Sequence, residues 1–456
     1  MRTTVALAAM LAAGLTPLTL ASPASAAAAK HYDDFNGDGY RDLAAPYMYS
    51  GVSDGTLNFK GGAVLVTFGG PAGLTTRTQL IHQGSAGVPG AGEENDQFGE
   101  SLASADLNSD GYADLVVGNS SEESGTTPVG SVTLLWGSSK GLSGGTALPR
   151  KGGGSWGAFG RDVATGDFNG DGKADIATVN AGDIYLYRGG FTKSGGLGTV
   201  SKYDREGVGW SSYTLAAGRV TGDGKTDLAV IGIRILGTVI RTEAWFLKGT
   251  SGGLTSGTAK VIDPIQRENL DASIGDFDKN GYGDIAIGNP FESNGRGSVT
   301  LWYGTSTGPG SKSAKLSQAT SGVVGAAEPY DSFGTSVSAG DTDADGYADL
   351  AVGVPNEAAG TKEYAGGAHL FRGGSGGLSG SRSATIDKTL TGVAGGTVAY
   401  DAFGSDVRVR DLNRDGKAEL TVLVPGENTA RVLPGAKGGV TGLGSYIVQG
   451  VNGLPE

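Results

Sequence analysis

An acidic loop recurs seven times along this chain of 456 residues, and each copy places oxygen-bearing side chains at fixed intervals. The third copy reads DFNGDGKAD over residues 167–175, and the well-formed copies share the pattern D-x-[DN]-x-[DN]-G-x-x-[DE]. Positions 1, 3, 5 and 9 offer carboxylate or amide oxygens, position 7 offers a backbone carbonyl, and the glycine at position 6 permits a sharp turn. Because Ca²⁺ takes about 6–8 oxygen ligands, the pattern predicts a calcium site in each complete loop.

Six of the seven loops have a complete set of candidate ligands, which predicts about six Ca²⁺ ions. The predicted ligands, in chain order, are Asp34, Asn36, Asp38, Tyr40, Asp42, Asp106, Asn108, Asp110, Tyr112, Asp114, Asp167, Asn169, Asp171, Lys173, Asp175, Asp276, Asp278, Asn280, Tyr282, Asp284, Asp341, Asp343, Asp345, Tyr347, Asp349, Asp411, Asn413, Asp415, Lys417 and Glu419. The fourth loop, RVTGDGKTD at residues 219–227, has Arg219 at position 1 and Thr221 at position 3. We therefore expect this loop to hold no metal, with the Arg219 guanidinium in place of the cation.

Other metal sites and a metal-free turn are the alternatives for these loops. An EF-hand needs a bidentate Glu at position 12, where the six complete loops have Ala, Val, Thr or Ile, so the EF-hand is excluded. Zinc and copper are disfavoured because the chain has no Cys and three His. Asp, Asn and Gly also form solvated turns without a metal, but seven copies that each lead into an apolar run favour metal binding.

The spacing of the loops predicts the fold that must position them, because the copies begin 52 to 72 residues apart and fill the chain. Each repeat has a short segment before the loop that often opens with Phe-Gly, an apolar run after it, an alternating run and a last polar strand. Four strands repeated seven times predict an all-β fold, namely a seven-bladed β-propeller of four-stranded antiparallel blades with Ca²⁺-binding loops between the first and second strands. Two smaller β domains are the alternative.

The N-terminus has the features of a secretory signal peptide. Arg2 precedes a short apolar stretch, and the small residues ASA at 24–26 fit a cleavage site. We therefore predict a signal peptide over residues 1–26 and a single propeller over residues 27–456; a membrane anchor is the alternative. Only KHYDD precedes the first acidic loop, so the first repeat is expected to have a truncated innermost strand.

Composition limits the partners and the sources of stability. The formal net charge is −12, so nucleic acid and anionic membranes are not expected as partners. With no Cys, no disulfide can stabilise the chain, and bound calcium is expected to take that structural role. The mature protein is expected to be secreted, extracellular and monomeric.

The order of these elements resembles a known repeat. Phe-Gly, then the acidic loop, then VGVP (352–355) or IGNP (287–290), is similar to the FG-GAP repeat of integrin α-subunits and of many secreted bacterial proteins. The resemblance covers essentially all of residues 27–456, although the fourth and fifth repeats lack Phe-Gly. It implies a seven-bladed propeller with Ca²⁺ bound by loops on one face and extracellular ligands bound on the opposite face.

No catalytic group is predicted, although one enzyme motif is present by pattern. G-x-S-x-G occurs four times at the same place in successive repeats, which is typical of hairpin turns rather than of a hydrolase nucleophile elbow. The histidines His31, His82 and His369 occupy no equivalent repeat positions. We therefore expect a binding module for an extracellular glycan or protein rather than an enzyme. The alternative is a carbohydrate-active lyase or hydrolase on the same scaffold.

Contacts with a partner are expected on the face opposite the metal loops. Three between-blade loops are alike there, at residues 87–99, 322–334 and 392–404. Aromatic side chains can stack on sugars or anchor proteins, so they are the candidate contact residues. They are Tyr47, Tyr49, Trp156, Trp210, Tyr330 and Tyr400. The alternative is that these rings pack against neighbouring blades.

Overall fold

The computed structural model describes residues 32–48, 60–152, 158–205, 209–268 and 270–454. The predicted signal peptide at residues 1–26 lies outside the described residues, as do His31, Tyr49 and Trp156. Within the described ranges, no helix is long and apolar enough to cross a membrane.

Seven sheets follow one another along the chain, and each sheet is one blade with antiparallel neighbouring strands. Blade 1 contains β1 (Leu43–Met48), β2 (Gly62–Thr67) and β3 (Thr78–His82). Blade 2 contains β4 (Ser101–Ala105), β5 (Asp114–Asn119), the small hairpin β6 (Glu123–Ser124) and β7 (Thr127–Pro128), β8 (Ser131–Trp136) and β9 (Ser143–Ala147). Blade 3 contains β10 (Val163–Gly166), β11 (Asp175–Asn180), β12 (Asp183–Tyr187) and β13 (Val200–Tyr203). Blade 1 therefore has three regular strands, and blades 2 and 3 have four each.

The remaining blades have four strands each. Blade 4 contains β14 (Gly209–Gly218), β15 (Asp227–Leu236), β16 (Val239–Thr250) and β17 (Gly253–Asp263), and blade 5 contains β18 (Ala272–Gly275), β19 (Asp284–Asn289), a short turn α1 (Glu292–Gly295), β20 (Ser298–Trp302) and β21 (Ser313–Leu316). Blade 6 contains β22 (Val337–Gly340), β23 (Asp349–Val354), β24 (Gly367–Phe371) and β25 (Ser383–Ile386). Blade 7 contains β26 (Val407–Arg410), β27 (Glu419–Val424), β28 (Thr429–Leu433), the hairpin β29 (Gly435–Ala436) and β30 (Gly439–Val440), and β31 (Tyr446–Gln449). Two 3₁₀ turns lie at Gly380–Arg382 and Pro425–Glu427. The predicted seven-bladed propeller of four-stranded antiparallel blades is confirmed, with blade 1 as the exception described below.

The blades pack face to face, which explains why their middle strands are apolar on both sides. Every residue of β5 is buried, whereas three of the four residues of the outermost strand β21 are exposed. Seven apolar clusters are present among the described residues, and one lies between each pair of neighbouring blades, including blades 7 and 1. Burial of apolar surface between blades is therefore the main force that holds the ring together.

In blades 2, 3, 6 and 7, a Phe-Gly pair joins the blade to the one before it. Phe159, for example, is fully buried and forms a parallel bridge with Gly130 of the preceding blade. The next residue, Gly160, has a φ of +88°, and a Cβ there would lie 2.3 Å from the carbonyl oxygen of Ser131. Only glycine fits this backbone conformation and this close approach, so the motif is a packing device between blades.

Blade 1 is closed by the C-terminal segment. Among the described residues, its first regular strand is β1, which follows the first acidic loop, and residues 32–33 before that loop form no strand. The described part of this segment therefore agrees with the predicted truncation of the innermost strand. Residues 451–454 run beside β1, where Val451 and Leu454 are buried in the cluster shared by blades 7 and 1. A Cβ on Gly453 would contact the ring of Pro46 in β1. Because proline has no N–H to donate, β1 cannot form a complete ladder with this segment.

The hydrogen bonds of the innermost strands show that residues 451–454 occupy the missing position. The N–H of Leu215 donates to Asp162 of the preceding blade at 2.7 Å, and the N–H of Leu454 donates to Asp406 of blade 7 in the same way at 2.6 Å. Val337 and Asp271 form a third bond of this kind, at 2.8 Å. Leu454 is thus the counterpart in blade 1 of the first residues of the other innermost strands.

The three carboxylates that accept these bonds line one mouth of the central channel. Burial raises the pKa of Asp162 and of Asp406 to about 7, and that of Asp271 to about 6. Asp271 also raises the other two pKa values, because like charges disfavour ionisation. These groups are therefore linked to one another as well as to successive blades.

We expect Leu454→Ala to lower the free energy of unfolding by about 2–4 kcal/mol, because truncating a buried leucine removes apolar contacts and leaves a cavity. The measurement is urea denaturation of the protein in the presence of Ca²⁺. The matched control is Leu443→Ala, since Leu443 is exposed, and this change should have an effect within about 0.5 kcal/mol. Equal effects of the two substitutions would contradict closure by residues 451–454.

Candidate metal loops and the opposite face

The acidic loops lie where the sequence predicts them, at one face of the ring between the first and second strands of each blade. The second loop, for example, occupies residues 106–114 between β4 and β5. In blades 2 to 7, position 9 of the loop is also the first residue of the second strand. The loop is therefore joined directly to the most deeply buried strand of the blade.

The position-9 carboxylate bonds to the backbone with both of its oxygens. In the second loop, Asp114 accepts the N–H of Leu107 at 3.0 Å and the N–H of Gly137, after the third strand, at 2.8 Å. The other five position-9 aspartates accept the equivalent pair of bonds, and they are Asp42, Asp175, Asp227, Asp284 and Asp349. In the seventh loop, Glu419 accepts the N–H of Leu412 and the amide of Asn413.

This arrangement gives the position-9 residue a structural role that the sequence pattern alone did not indicate. Asp227 keeps both bonds although its loop lacks ligands at positions 1 and 3. The carboxylate therefore anchors the loop to the second and third strands with or without a metal. Each oxygen still has a lone pair with which to contact a cation.

Burial makes the anchoring carboxylate costly to ionise. Desolvation raises the pKa of Asp42 and of Asp114 to about 7, and that of Asp284 to about 6. Neighbouring loop carboxylates raise these pKa values further by like-charge repulsion. A cation in the loop would favour the ionised form and offset this cost.

The carboxylate at position 1 organises the rest of the loop. Asp106 accepts the N–H groups of Asp110 and Gly111, both at 3.1 Å, and Asp167 accepts the equivalent groups of the third loop. Asn108 and Asp110 each accept the N–H of the residue two positions on, at 2.9 and 3.1 Å, as in Asx turns. The side chains at positions 1, 3 and 5 therefore fold the loop through bonds to its own backbone.

The loops fit a hard cation to different degrees. Ligand oxygens of Asp276, Asp278 and Asp284 lie within 4.8 Å of one another in the fifth loop, and those of Asp341, Asp343 and Asp345 do so in the sixth. Among the described residues, the other loops bring together no such triple of carboxylates. Four buried loop oxygens have no hydrogen-bond partner: Asp34 Oδ1, Asp278 Oδ1, Asp341 Oδ1 and Asp343 Oδ1. Because unpartnered buried oxygens are costly, these atoms suit a Ca²⁺ ion that would coordinate them.

The fourth loop obtains positive charge from lysines. Lys225 and Lys248 place their Nζ atoms 3.8 and 3.5 Å from the carboxylate of Asp223. Arg219, which the sequence predicts as the substitute cation, is exposed. The absence of metal from this loop stays a prediction. The positive charge near Asp223 comes from Lys225 at position 7 of the loop and from Lys248 in β16.

The opposite face carries the between-blade loops, and their aromatic residues differ in environment. Trp210 packs against Trp245 at a ring distance of 6.0 Å and lies under the guanidinium of Arg205. Tyr330 and Tyr400, in contrast, are 62% and 64% exposed. Packing within blade 4 and against the apolar cluster that it shares with blade 3 therefore explains Trp210 but does not explain the two tyrosines.

Tyr330 and Tyr400 occupy equivalent positions in their loops and share an unusual backbone. Their φ angles are +72° and +67°, in the left-handed region that bulky residues rarely adopt. Tyr364 also has a positive φ and stacks on Tyr400 with ring centroids 5.5 Å apart. Other exposed apolar side chains of this face of blades 5 to 7 are Phe291, Val324 and Val398. We call these six residues the apolar patch.

The enzyme-like motifs and the buried histidine have structural roles. Residues 137–141 join the third strand of blade 2 to its fourth strand, as predicted, with the N–H of Gly141 donating to the carbonyl of Ser138. His369 is buried in β24 beside Phe333 and Phe371, and burial lowers its pKa to about 4. His369 is therefore a core residue of blade 6.

Comparison with known proteins agrees with the repeat pattern. The family described as the FG-GAP repeat matches residues 98–135, 270–302 and 333–371, and the FG-GAP-like repeat matches residues 167–230. Integrin alpha-5 of Xenopus laevis is 30% identical over 222 residues, which are 43% of this chain and 20% of the integrin. Phosphatidylinositol-glycan-specific phospholipase D of Rattus norvegicus is 30% identical over 184 residues, which are 39% of this chain and 21% of that enzyme. The matches thus span about a fifth of each relative.

One solved structure has a more distant similarity to this chain. The exotype rhamnogalacturonan lyase YesX shares 14% identity, with a TM-score of 0.42, over 94% of this chain and 73% of the lyase. A likeness this distant supports no argument about activity.

We expect Asp227→Ala to lower the free energy of unfolding by about 2–4 kcal/mol, since each unsatisfied buried polar group costs about 1–3 kcal/mol. The substitution removes the acceptor for the N–H groups of Val220, Thr221 and Gly249. Urea denaturation measures the change, and it should be the same with Ca²⁺ and with a chelator. Asp223→Ala is the control, because an exposed ion pair contributes about 0–1 kcal/mol. A loss for Asp227→Ala no larger than that of the control would contradict the anchoring role.

Proposed function

Because this chain is a seven-bladed β-propeller of FG-GAP repeats, similar in part to integrin alpha-5, we propose that it is a secreted binding module. In this proposal, Ca²⁺ ions in the acidic loops stiffen one face of the ring. The apolar patch on the opposite face binds an extracellular protein.

The observation that carries the proposal is the pair of tyrosines in a strained backbone conformation. Left-handed backbone at a bulky residue costs on the order of 1–3 kcal/mol, and glycine would avoid that cost. Tyr330 and Tyr400 keep the conformation at equivalent positions and remain exposed, so folding does not account for them. Exposed tyrosines are well suited to contact a partner, because the large ring has few side-chain torsions to fix on binding.

The composition of the apolar patch favours a protein partner over a glycan. Val324 and Val398 are exposed aliphatic groups, which pack against protein side chains but offer no flat surface for a sugar ring. The Tyr364 and Tyr400 rings stack on each other, so one face of each is already covered. A glycan ligand remains an outcome of the binding experiment below.

The proposal includes no catalytic step. Asp114 and Asp284, whose carboxyl pKa values are raised, are anchors of the fold, and His369 belongs to the core. A carbohydrate-active enzyme on this scaffold is the alternative that the experiment below also tests.

Calcium in the loops is supported by donor chemistry. The donors are carboxylate, amide and carbonyl oxygens, which suit Ca²⁺, and four of the buried carboxylate oxygens are otherwise unpartnered. Bound ions would also reduce repulsion in a chain of net charge −12. With no Cys available for disulfides, such ions would supply part of the stability of a secreted protein.

We expect Ca²⁺ to raise the free energy of unfolding, and Asp343→Asn to reduce that increase by about 0.4–1.4 kcal/mol when calcium is at one to ten times Kd. Asp343 has an unpartnered buried oxygen in the sixth loop, so its loss should weaken one ion site. Urea denaturation with Ca²⁺ and with a chelator gives both values. Asp223→Asn in the fourth loop is the control and should leave the increase unchanged. An unfolding curve that is the same with Ca²⁺ and chelator would overturn the calcium proposal.

We expect Tyr330→Gly and Tyr400→Gly to abolish partner binding while stability stays within about 1 kcal/mol of the wild type, because glycine adopts positive φ without strain. The probes are an array of purified extracellular proteins and an array of polysaccharides. Tyr32→Gly is the control, since Tyr32 is exposed and lies at the other end of the channel. Binding that survives both patch substitutions would contradict the assignment of the face. Binding to polysaccharides alone would contradict a protein partner, and turnover of a polysaccharide would contradict a non-enzymatic role.

A further inference from the structure

Three junctions between blades on the face opposite the metal loops contain the same set of polar residues at the same spacing. In each junction, a residue after the fourth strand is followed 13 positions later by an Asp and 39 positions later by a Glu. The three sets are Gln83, Asp96 and Glu122; Gln318, Asp331 and Glu357; and Lys388, Asp401 and Glu427. We call them the first, second and third acid pockets.

The third acid pocket contains a built-in cation. Lys388 is buried, and its Nζ lies 2.7 Å from Asp401 Oδ2 and contacts Glu427 Oε1. The same ammonium donates to the carbonyl of Gly396 at 3.3 Å. A positive charge is thus held between the Asp and the Glu, and its hydrogen bonds compensate its desolvation.

The first acid pocket has the same acids but a neutral Gln in place of the Lys. Gln83 donates through Nε2 to Glu122 Oε2 at 2.6 Å, which leaves Gln83 Oε1 without a partner. Asp96 Oδ1 also has no hydrogen-bond partner. Gln83 and Asp96 are only 4% and 6% exposed, so water does not readily form hydrogen bonds with Gln83 Oε1 and Asp96 Oδ1.

A further carboxylate makes the first acid pocket more negative than the third. Glu93 lies there, at the position that Val398 occupies in the third pocket, and both residues donate their backbone N–H to the pocket Asp. Oxygens of Glu93, Asp96 and Glu122 lie within 4.8 Å of one another. Among the described residues, no Lys or Arg forms an ion pair with any of the three. Contact with the Asp96 carboxylate raises the pKa of Glu93 to about 7, as expected for like charges held together.

We propose that the first acid pocket is a Ca²⁺ site in which the ion occupies the place that the Lys388 ammonium occupies in the third. The donors are the carboxylates of Glu93, Asp96 and Glu122 with the amide oxygen of Gln83. Oxygen donors alone, with three negative charges, select a hard divalent cation. The site is separate from the acidic loops, because it lies on the opposite face of the ring.

The second acid pocket is intermediate between the other two. Gln318 donates to Glu357 at 2.6 Å and leaves its own Oε1 unpartnered, as Gln83 does. Among the described residues, its carboxylates form no close triple of the kind found in the first pocket. Burial and the charge of Glu328 raise the pKa of Asp331, whereas the nearby positive charge of Arg296 lowers it. The proposal is therefore restricted to the first pocket, which has no such compensation among the described residues.

An ion in the first acid pocket would join two blades. Gln83 follows the outermost strand of blade 1, and Glu122 follows the second strand of blade 2, while Glu93 and Asp96 belong to the loop between the blades. The ion would then fix the between-blade loop at residues 87–99. This role is independent of the protein partner proposed above.

The test is crystallography of the full propeller with Mn²⁺ as a Ca²⁺ surrogate, using anomalous scattering to locate each ion. We expect a peak bonded to carboxylate oxygens of Asp96 and Glu122 in the wild type. In Gln83→Lys, the new ammonium should replace the ion as Lys388 does, so this peak should vanish while peaks in the acidic loops persist. No peak in a wild-type crystal whose loops are loaded, or a peak that survives in Gln83→Lys, would overturn the proposal.

A solution measurement keeps the proposal testable if Gln83→Lys fails to fold. By calorimetric titration with Ca²⁺, Glu93→Gln should weaken one site at least tenfold and leave the other sites unchanged. Glu94→Gln is the matched control, because it removes the same charge from the neighbouring exposed residue, which pairs with Lys60 outside the pocket. Identical titrations for the two variants would count against the site.

Discussion

A buried carboxylate that accepts backbone amides with both oxygens, or a backbone amide and the Asn413 amide at Glu419 of blade 7, is the constraint on which each blade depends. At Asp114 and its counterparts, this group joins the acidic loop to the ends of the second and third strands. The second strand is buried on both faces, so its first residue must satisfy the backbone where the loop begins. The proposed metal ligation at the other loop positions would depend on this anchor. In the fourth loop the anchor is present although positions 1 and 3 are not Asp or Asn.

Most of the fold could be predicted from the sequence because the repeats carry local information. The acidic loops, the apolar runs after them and the turns at residues 137–141 each reflect nearby residues, and all lie where expected. Closure by residues 451–454 could not be predicted, since these residues carry no strand pattern and meet β1 only through long-range packing. The positive charge at the fourth loop was likewise missed, because Lys248 lies in another strand.

The candidate sites also differ in whether residues close together or far apart in the sequence define them. The ligand positions of the acidic loops follow from spacing, whereas the acid pockets depend on residues 13 and 39 positions apart whose burial a sequence does not reveal. The likeness of the loops at residues 87–99 and 392–404 did point to a shared structure. The first pocket differs from the third by Gln83 in place of Lys388, and the consequence is visible only in the structure, where oxygens of Gln83 and Asp96 have no partner.

The join between blades 7 and 1 has a consequence for how the molecule forms. Blade 1 receives its innermost segment from residues 451–454, which are the last of the described chain to be synthesised. Six blades can assemble in order as an open arc while the polypeptide is still emerging, because each needs only its own residues and the blade before it. The ring can be completed only after residues 451–454 have been translated, so the earliest blade to begin folding is also the last to finish.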